Sequence, residues 1–179
     1  MNPQVIHLTG ASGSGTTTLG RAIAACLGIV HLDTDDFFWM PADPPFTVKR
    51  PEAKRLELLQ QAARRAGRCV LSGSLAGWGD ALIPLFERVV YLQTPTPLRL
   101  QRLHLRKFDQ FGRRILPGGD MHEEHLEFLH WASRYDSAGL EQRSALLHRQ
   151  WLEQLHCPVH RVDGELPVQE NLDLLQILT

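Results

Sequence analysis

Gly10-Ala11-Ser12-Gly13-Ser14-Gly15-Thr16-Thr17-Thr18 is the stretch whose reading decides the fold. It follows an apolar run, Val5-Ile6-His7-Leu8, that predicts a buried strand. It precedes residues 19–27, whose apolar positions recur at helical spacing. Strand, glycine loop and helix in that order are the context a phosphate-binding loop needs. Glycines let backbone N–H groups turn inward around an anion-sized hollow, and the helix N-terminus adds partial positive charge there. The pattern G-x-x-x-x-G-K-[ST] is met at Gly10, Gly15 and Thr17 and fails at the lysine, where Thr16 stands. The plainer alternative is a glycine-rich turn that only caps a helix.

Working outward, the 179 residues suit one domain with a sizeable core. A formal net charge of −1 gives no whole-chain attraction for nucleic acid or acidic membrane. No apolar run approaches the ~20 residues of a membrane span. Met1-Asn2-Pro3-Gln4 leads straight into the first strand, so no signal peptide is expected. Cys26, Cys69 and Cys157 are widely spaced in apolar segments and read as reduced core thiols of a cytoplasmic protein.

Along the chain, Gly28 ends the first helix and Ile29-Val30-His31-Leu32 is a second strand, running into Asp33-Thr34-Asp35-Asp36-Phe37-Phe38-Trp39. A proline-rich loop, 41–51, carries Lys49 and Arg50; Pro51 then fits the first position of a helix that fades at Gly67. Strand three is 69–72, followed by a glycine-rich loop with Gly73 and Trp78; strand four is 89–92. Thr96 and Pro97 predict the cap and first residue of a helix through Leu100, Leu103 and Phe108. Residues 112–119 read as a mobile polar loop, and Asp120 with Glu123 as a capping box for a helix burying Leu126, Leu129 and Ala132. A helix over about 140–155, a fifth strand at 159–162 and a final helix turning Val168, Leu172, Leu175 and Ile177 inward complete the chain. Strands alternating with helices predict an α/β, doubly wound parallel sheet with helices on both faces. Ligands then sit beyond the carboxyl ends of the strands, where the loops after strands one, two and three meet.

These residues together resemble a small P-loop kinase of the nucleoside-monophosphate-kinase and shikimate-kinase type. The resemblance rests on the glycine loop, on Asp33-Thr34-Asp35, on Ser72-Gly73-Ser74, on the fourth strand followed by Arg99, Arg102 and Arg106, and on Val162-Asp163-Gly164. The G-T-T-T loop with D-T-D-D-F is similar to a bacterial adenylate-kinase-like or ATPase-like group. The resemblance implies the P-loop NTPase fold with sheet order 2-3-1-4-5 and a small lid. It also implies one domain over 1–179, with a lid region at about 107–135 and a substrate-side region at about 36–67.

It further implies ATP and Mg²⁺ bound along Gly10, Ala11, Ser12, Gly13, Ser14, Gly15, Thr16, Thr17 and Thr18, with Thr17, Asp33 and Asp35 as metal-side oxygens. If the second strand continued, Asp33 and Asp35 would point to one side and could hold Mg²⁺ water or accept a hydroxyl proton; turn and capping chemistry is the alternative. Asp36, Trp39, Lys49, Arg50, Gly73 and Trp78 are candidate acceptor contacts, against burial under the next helix or a tight loop. Arg106, Arg113 and Arg114 are candidates to close over phosphates, against a solvated basic face. Arg106 is the first choice for the charge that Thr16 lacks, because a helix would hold it. His122-Glu123-Glu124-His125 does not match H-E-x-x-H and reads as a polar helix start.

Two function classes stand. One is a phosphotransferase moving the ATP γ-phosphoryl to a small-molecule acceptor, as monomer or homodimer. The other is a nucleotide-binding, ATPase-like or regulatory protein with little kinase activity, which the missing lysine favours. No basic stripe interleaved with aromatics points to nucleic acid.

Overall fold

The central strand, β1 (Gln4–Gly10), is buried on both faces from Val5 onward, as an apolar run inside a parallel sheet must be. Its side chains alternate between two cores. Val5 joins Cys69, Leu71, Val89 and Tyr91 on one face, and Ile6 and Leu8 join Val70, Val90 and Leu92 on the other. The computed structural model describes residues 3–175. The remaining strands are β2 (Val30–Asp33), β3 (Arg68–Ser72), β4 (Phe86–Gln93) and β5 (Val159–Asp163). All pairings are parallel, in the order β2-β3-β1-β4-β5, as the resemblance implied.

Helix α1 (Thr16–Leu27) buries Leu19, Ile23 and Ala24 in the core that holds Ile6, and ends on Gly28 in the left-handed conformation. The short α2 (Thr34–Phe38) follows β2 directly, and α3 (Glu52–Ala66) covers the opposite face with Leu59 and Ala63. Helix α4 (Thr96–Phe111) leads through a 3₁₀ turn (Gly112–Ile115) to α5 (His122–Ser133). Helix α6 (Ala145–Leu152) supplies Trp151 and Leu152 to the Val5 core, and α7 (Val168–Leu174) packs on α1. Among the described residues no helix is long and apolar enough to cross a membrane.

Several local expectations change. Residues 112–119 are not an open loop at their start, because Ile115 is buried and pins the 3₁₀ turn. Asp120 makes no capping box: it ion-pairs with Arg114, and Met121 takes the cap position of α5. Pro51 and Pro95 occupy the caps of α3 and α4, so Pro51 stands one place before the first helical position expected of it, and Thr96 and Pro97 are the first two residues of α4, proline's fixed φ suiting that entry. The helix expected over 140–155 is confined to α6, capped by the Ser144 hydroxyl. Phe108 and Leu126 face solvent instead of the core, and Cys26 is exposed. Leu175 is buried as expected, while Ile177 lies outside the described residues.

Candidate functional site

The loop between β1 and α1 turns on a bond from the Ser14 N–H to the Ala11 carbonyl at 3.1 Å and leaves the first amides of α1 unclaimed. Gly13 and Gly15 have φ of 81° and 103°, and Gly15 caps α1 with no side-chain hydrogen bond and no acidic residue in the first turn. The first amides of α1 therefore face outward without an internal acceptor, which is an anion site in waiting. Gly13 is also required by packing: a Cβ there would lie 2.6 Å from the Arg99 carbonyl and 3.0 Å from Leu103 Cγ. Beside the loop opens a cleft of about 420 Å³, bounded across from residues 13–18 by Arg102, Arg106, Gly164 and Asn171. Asn171 donates to the Asp163 carbonyl at 2.8 Å, and its own buried carbonyl oxygen has no partner among the described residues.

Behind the loop, the Ser72 hydroxyl donates to the Thr16 carbonyl at 3.0 Å and lies 2.8 Å from His31 Nε2. This ties β3 and β2 to the start of α1. In front, the Thr17 hydroxyl donates to Asp33 Oδ2 at 2.8 Å. The donor set is hard oxygen, a hydroxyl and a carboxylate at the foot of a phosphate loop, which fits Mg²⁺.

The strand does not continue past Asp33, so Asp33 and Asp35 do not alternate across it. Asp33 caps α2 by accepting the Asp35 amide at 3.1 Å, and Asp35 stands in the first turn of that helix. Desolvation, then the Asp33 charge, raises the Asp35 pKa; Arg143 and Arg106 oppose the rise. Asp36 is raised by the same two causes.

The arginines divide by task. Arg99 is fully buried and donates to the carbonyls of Thr94, Ser12 and Ala132 and to Asp136, so it is a bracket behind the loop. Arg102 donates to Gly164 O at 2.9 Å across the cleft wall. Arg106 lines the cleft. Arg113 is exposed, and Arg114 is engaged with Asp120 and with Asp43 of the proline-rich segment. The structure thus brings Arg106 to the cleft and holds Arg114 in ion pairs elsewhere.

Sequence reasoning missed Arg143. It donates to the Ser12 hydroxyl from 131 positions away, with its guanidinium 5.2 Å from the Trp131 ring. No local pattern marks it, because it precedes α6 in an ordinary polar run.

Beyond β2, Phe38 stacks edge-on with Trp39 and Trp78, and Arg55 lies 3.9 Å over the Phe38 ring. Trp39 also meets Phe46. The Arg50 guanidinium donates to the Trp39 carbonyl at 3.0 Å. Lys49 is exposed, its backbone bridged to Trp39. Gly73, at φ 114°, leaves no room for a Cβ against Thr34. Deeper in, Ser74, His148, Tyr135 and Tyr91 form one hydrogen-bonded chain, and burial lowers the His148 pKa to about 3. In the site's other flank, His122 binds the Ile115 carbonyl and His125 meets His104 at 2.9 Å.

Comparison with known proteins fits this geometry. A family model described as an AAA domain, AAA_18, matches residues 6–114. The chain is 43% identical over 168 residues to the uncharacterized protein YqaC of Bacillus subtilis (strain 168), covering 94% of this chain and 93% of that one. It is 29% identical over 135 residues to shikimate kinase 2 of Serratia proteamaculans (strain 568), covering 70% and 77%. Among solved structures, the shikimate kinase of Acinetobacter baumannii in complex with shikimate superposes with a TM-score of 0.52 at 23% identity, over 98% of this chain and 93% of that one. That likeness establishes a shared fold.

Proposed function

The chain belongs to the AAA_18 family of AAA domains, within the P-loop small-molecule kinases, and from that premise we propose an ATP- and Mg²⁺-dependent phosphotransferase acting on a small-molecule hydroxyl acceptor. The observation that carries it is the Thr17 hydroxyl on Asp33 at the uncapped start of α1, with Asp35 one helical step away. Residues 10–18 hold the phosphates, and the cleft along Arg102 and Asn171 takes the nucleoside. Mg²⁺, held by Thr17 and Asp33, neutralises phosphate charge when bound.

Asp35 is the acceptor's proton partner: it stands in the first turn of α2, directly after the Asp33 cap and beside the loop, and desolvation raises its pKa. The acceptor oxygen bonds the γ-phosphorus as the bond to the bridging oxygen breaks. The electron pair leaves with ADP, and the hydroxyl proton passes to Asp35. Residues 36–67, with Asp36 and Trp39, form the acceptor side together with Trp78, and 107–135 form the lid, next to Arg106 on α4. The aromatic wall and Asp36 orient the acceptor, whereas Arg50 and Gly73 shape the loops that carry it.

A second reading is a nucleotide-binding, ATPase-like or regulatory protein with little turnover, and Thr16 in the lysine position favours it. The test is ADP release from ATP by purified protein against nucleosides, nucleotides, sugar acids and shikimate-like acids. Turnover with one acceptor is expected. Nucleotide binding with no turnover on any class supports the second reading, and no nucleotide binding refutes both.

A further inference from the structure

The charge that Thr16 cannot supply has to come from another side chain, and few are free to give it. Arg99 is buried with its donors on carbonyls, Arg114 is held by two carboxylates, and Arg102 is drawn to the cleft wall by its bond to the Gly164 carbonyl. Arg106 is exposed on the outer helix α4. Arg143 differs in three ways. Its backbone is fixed, because the next residue, Ser144, is fully buried, donates to the Gly139 carbonyl at 2.6 Å and caps α6. Its guanidinium is held over Trp131. Its hydrogen-bond partner among the described residues is the loop hydroxyl of Ser12.

We propose that Arg143 is a catalytic residue that binds the γ-phosphoryl group in place of the missing loop lysine, with Ser12 as its resting partner. The inference rests on the phosphotransferase reading above. A guanidinium that packs on Trp131 and reaches the Ser12 hydroxyl stands at the phosphate loop itself, where the phosphates of a bound nucleotide would meet it. It has five N–H donors in a fork, so several remain for phosphate oxygens beside the bond to Ser12. Half-buried against Trp131, it makes such contacts more strongly than it would on the open surface. The threonine in the loop then removes a second cation that would crowd the guanidinium.

Binding, rather than turnover, reads the proposal. Calorimetric affinities are measured for ADP alone and for ADP with beryllium fluoride, which mimics the γ-phosphoryl, in the presence of Mg²⁺. In Arg143→Ala the fluoride complex is expected to weaken about ten- to hundredfold while ADP stays within about twofold. Arg143→Gln keeps the stem and one donor without the charge, and is read in the same way if the alanine variant melts early. Thr16→Lys in the Arg143→Ala background should restore the preference for the fluoride complex. An equal loss for both ligands would make Arg143 only a strut for Ser12, and no selective loss in either variant would overturn the proposal. If the unmodified protein bound neither ligand, the phosphotransferase reading itself would fall.

Discussion

Replacing Thr17 by valine removes one hydroxyl and keeps the shape. The two residues have similar helix propensity, so α1 itself should not care. What is lost is the 2.8 Å bond to Asp33 Oδ2 and one oxygen of the metal side. Hydrogen bonds to charged groups are worth about 1.5–3 kcal/mol, but Asp33 is half-exposed and regains water, so about 1 kcal/mol of stability should go. In a chain of this size that is roughly 2–4 °C of Tm. The larger effect is on ligand linkage. At a nucleotide concentration of about 100 Kd the unmodified protein gains about 2.7 kcal/mol. Loss of one metal oxygen should weaken the Mg²⁺ complex about tenfold, leaving about 1.4 kcal/mol, so the whole thermal shift with Mg²⁺ and ATP should roughly halve and its Mg²⁺-dependent part should fall by more. Shifts with ATP alone should match in the two proteins, because the backbone hollow is untouched. Thermal melts with ATP, with and without Mg²⁺, measure both. An unchanged Mg²⁺ increment in Thr17→Val would refute the assignment of Thr17 and Asp33 to the metal.

Gly13→Ala should destabilise by about 2–5 kcal/mol in urea unfolding, combining a left-handed φ of 81° with a Cβ 2.6 Å from the Arg99 carbonyl. Wild-type stability would show that the loop relaxes away from Arg99. Asp33→Asn should lower the Asp35 pKa, because it removes the second-largest cause of its rise while an amide can still cap α2. Since the folded-state pKa of Asp35 lies above its unfolded value of about 3.9, its contribution to stability is largest below that value and is lost as pH rises through the raised pKa; the loss should shrink in Asp33→Asn. Titration of the Asp35 carboxyl by NMR reads the shift directly, and an unmoved titration would separate the two carboxylates.

The fold was legible because its signals are local. Val5-Ile6-His7-Leu8, the glycines at 13 and 15 and the apolar spacing of α1 each specify their element within a few residues, and parallel crossovers then follow from alternation. The errors are also local, and share a cause. At Asp33 a side chain competes with the strand by capping the next helix, and at Asp120 an ion pair to Arg114 outbids a capping box. Which of two nearby partners a carboxylate takes is set by chain geometry that composition does not carry. Cys26 reads as a core thiol by type, yet its place on α1 turns it to solvent.

The site was legible only on its contiguous side. Thr17 and the loop announce themselves by spacing, and the aspartates follow β2 at the edge where ligands gather. The cations do not, because Arg102 and Arg106 come from α4 and Arg143 from the segment before α6, and sequence order says nothing about which one arrives. Arg114 carries the guanidinium chemistry that phosphate needs, yet Asp43 and Asp120 hold it. Arg143 has the same chemistry and is unremarkable in sequence, yet Ser144 and Trp131 aim it at Ser12. A lysine in the loop would bring its charge on the loop's own backbone. A chain with Thr16 there must import charge through tertiary packing, so in this protein the electrostatics of the loop depend on how the segment before α6 is docked. On this argument, disturbing that docking should reach the loop before it reaches the sheet.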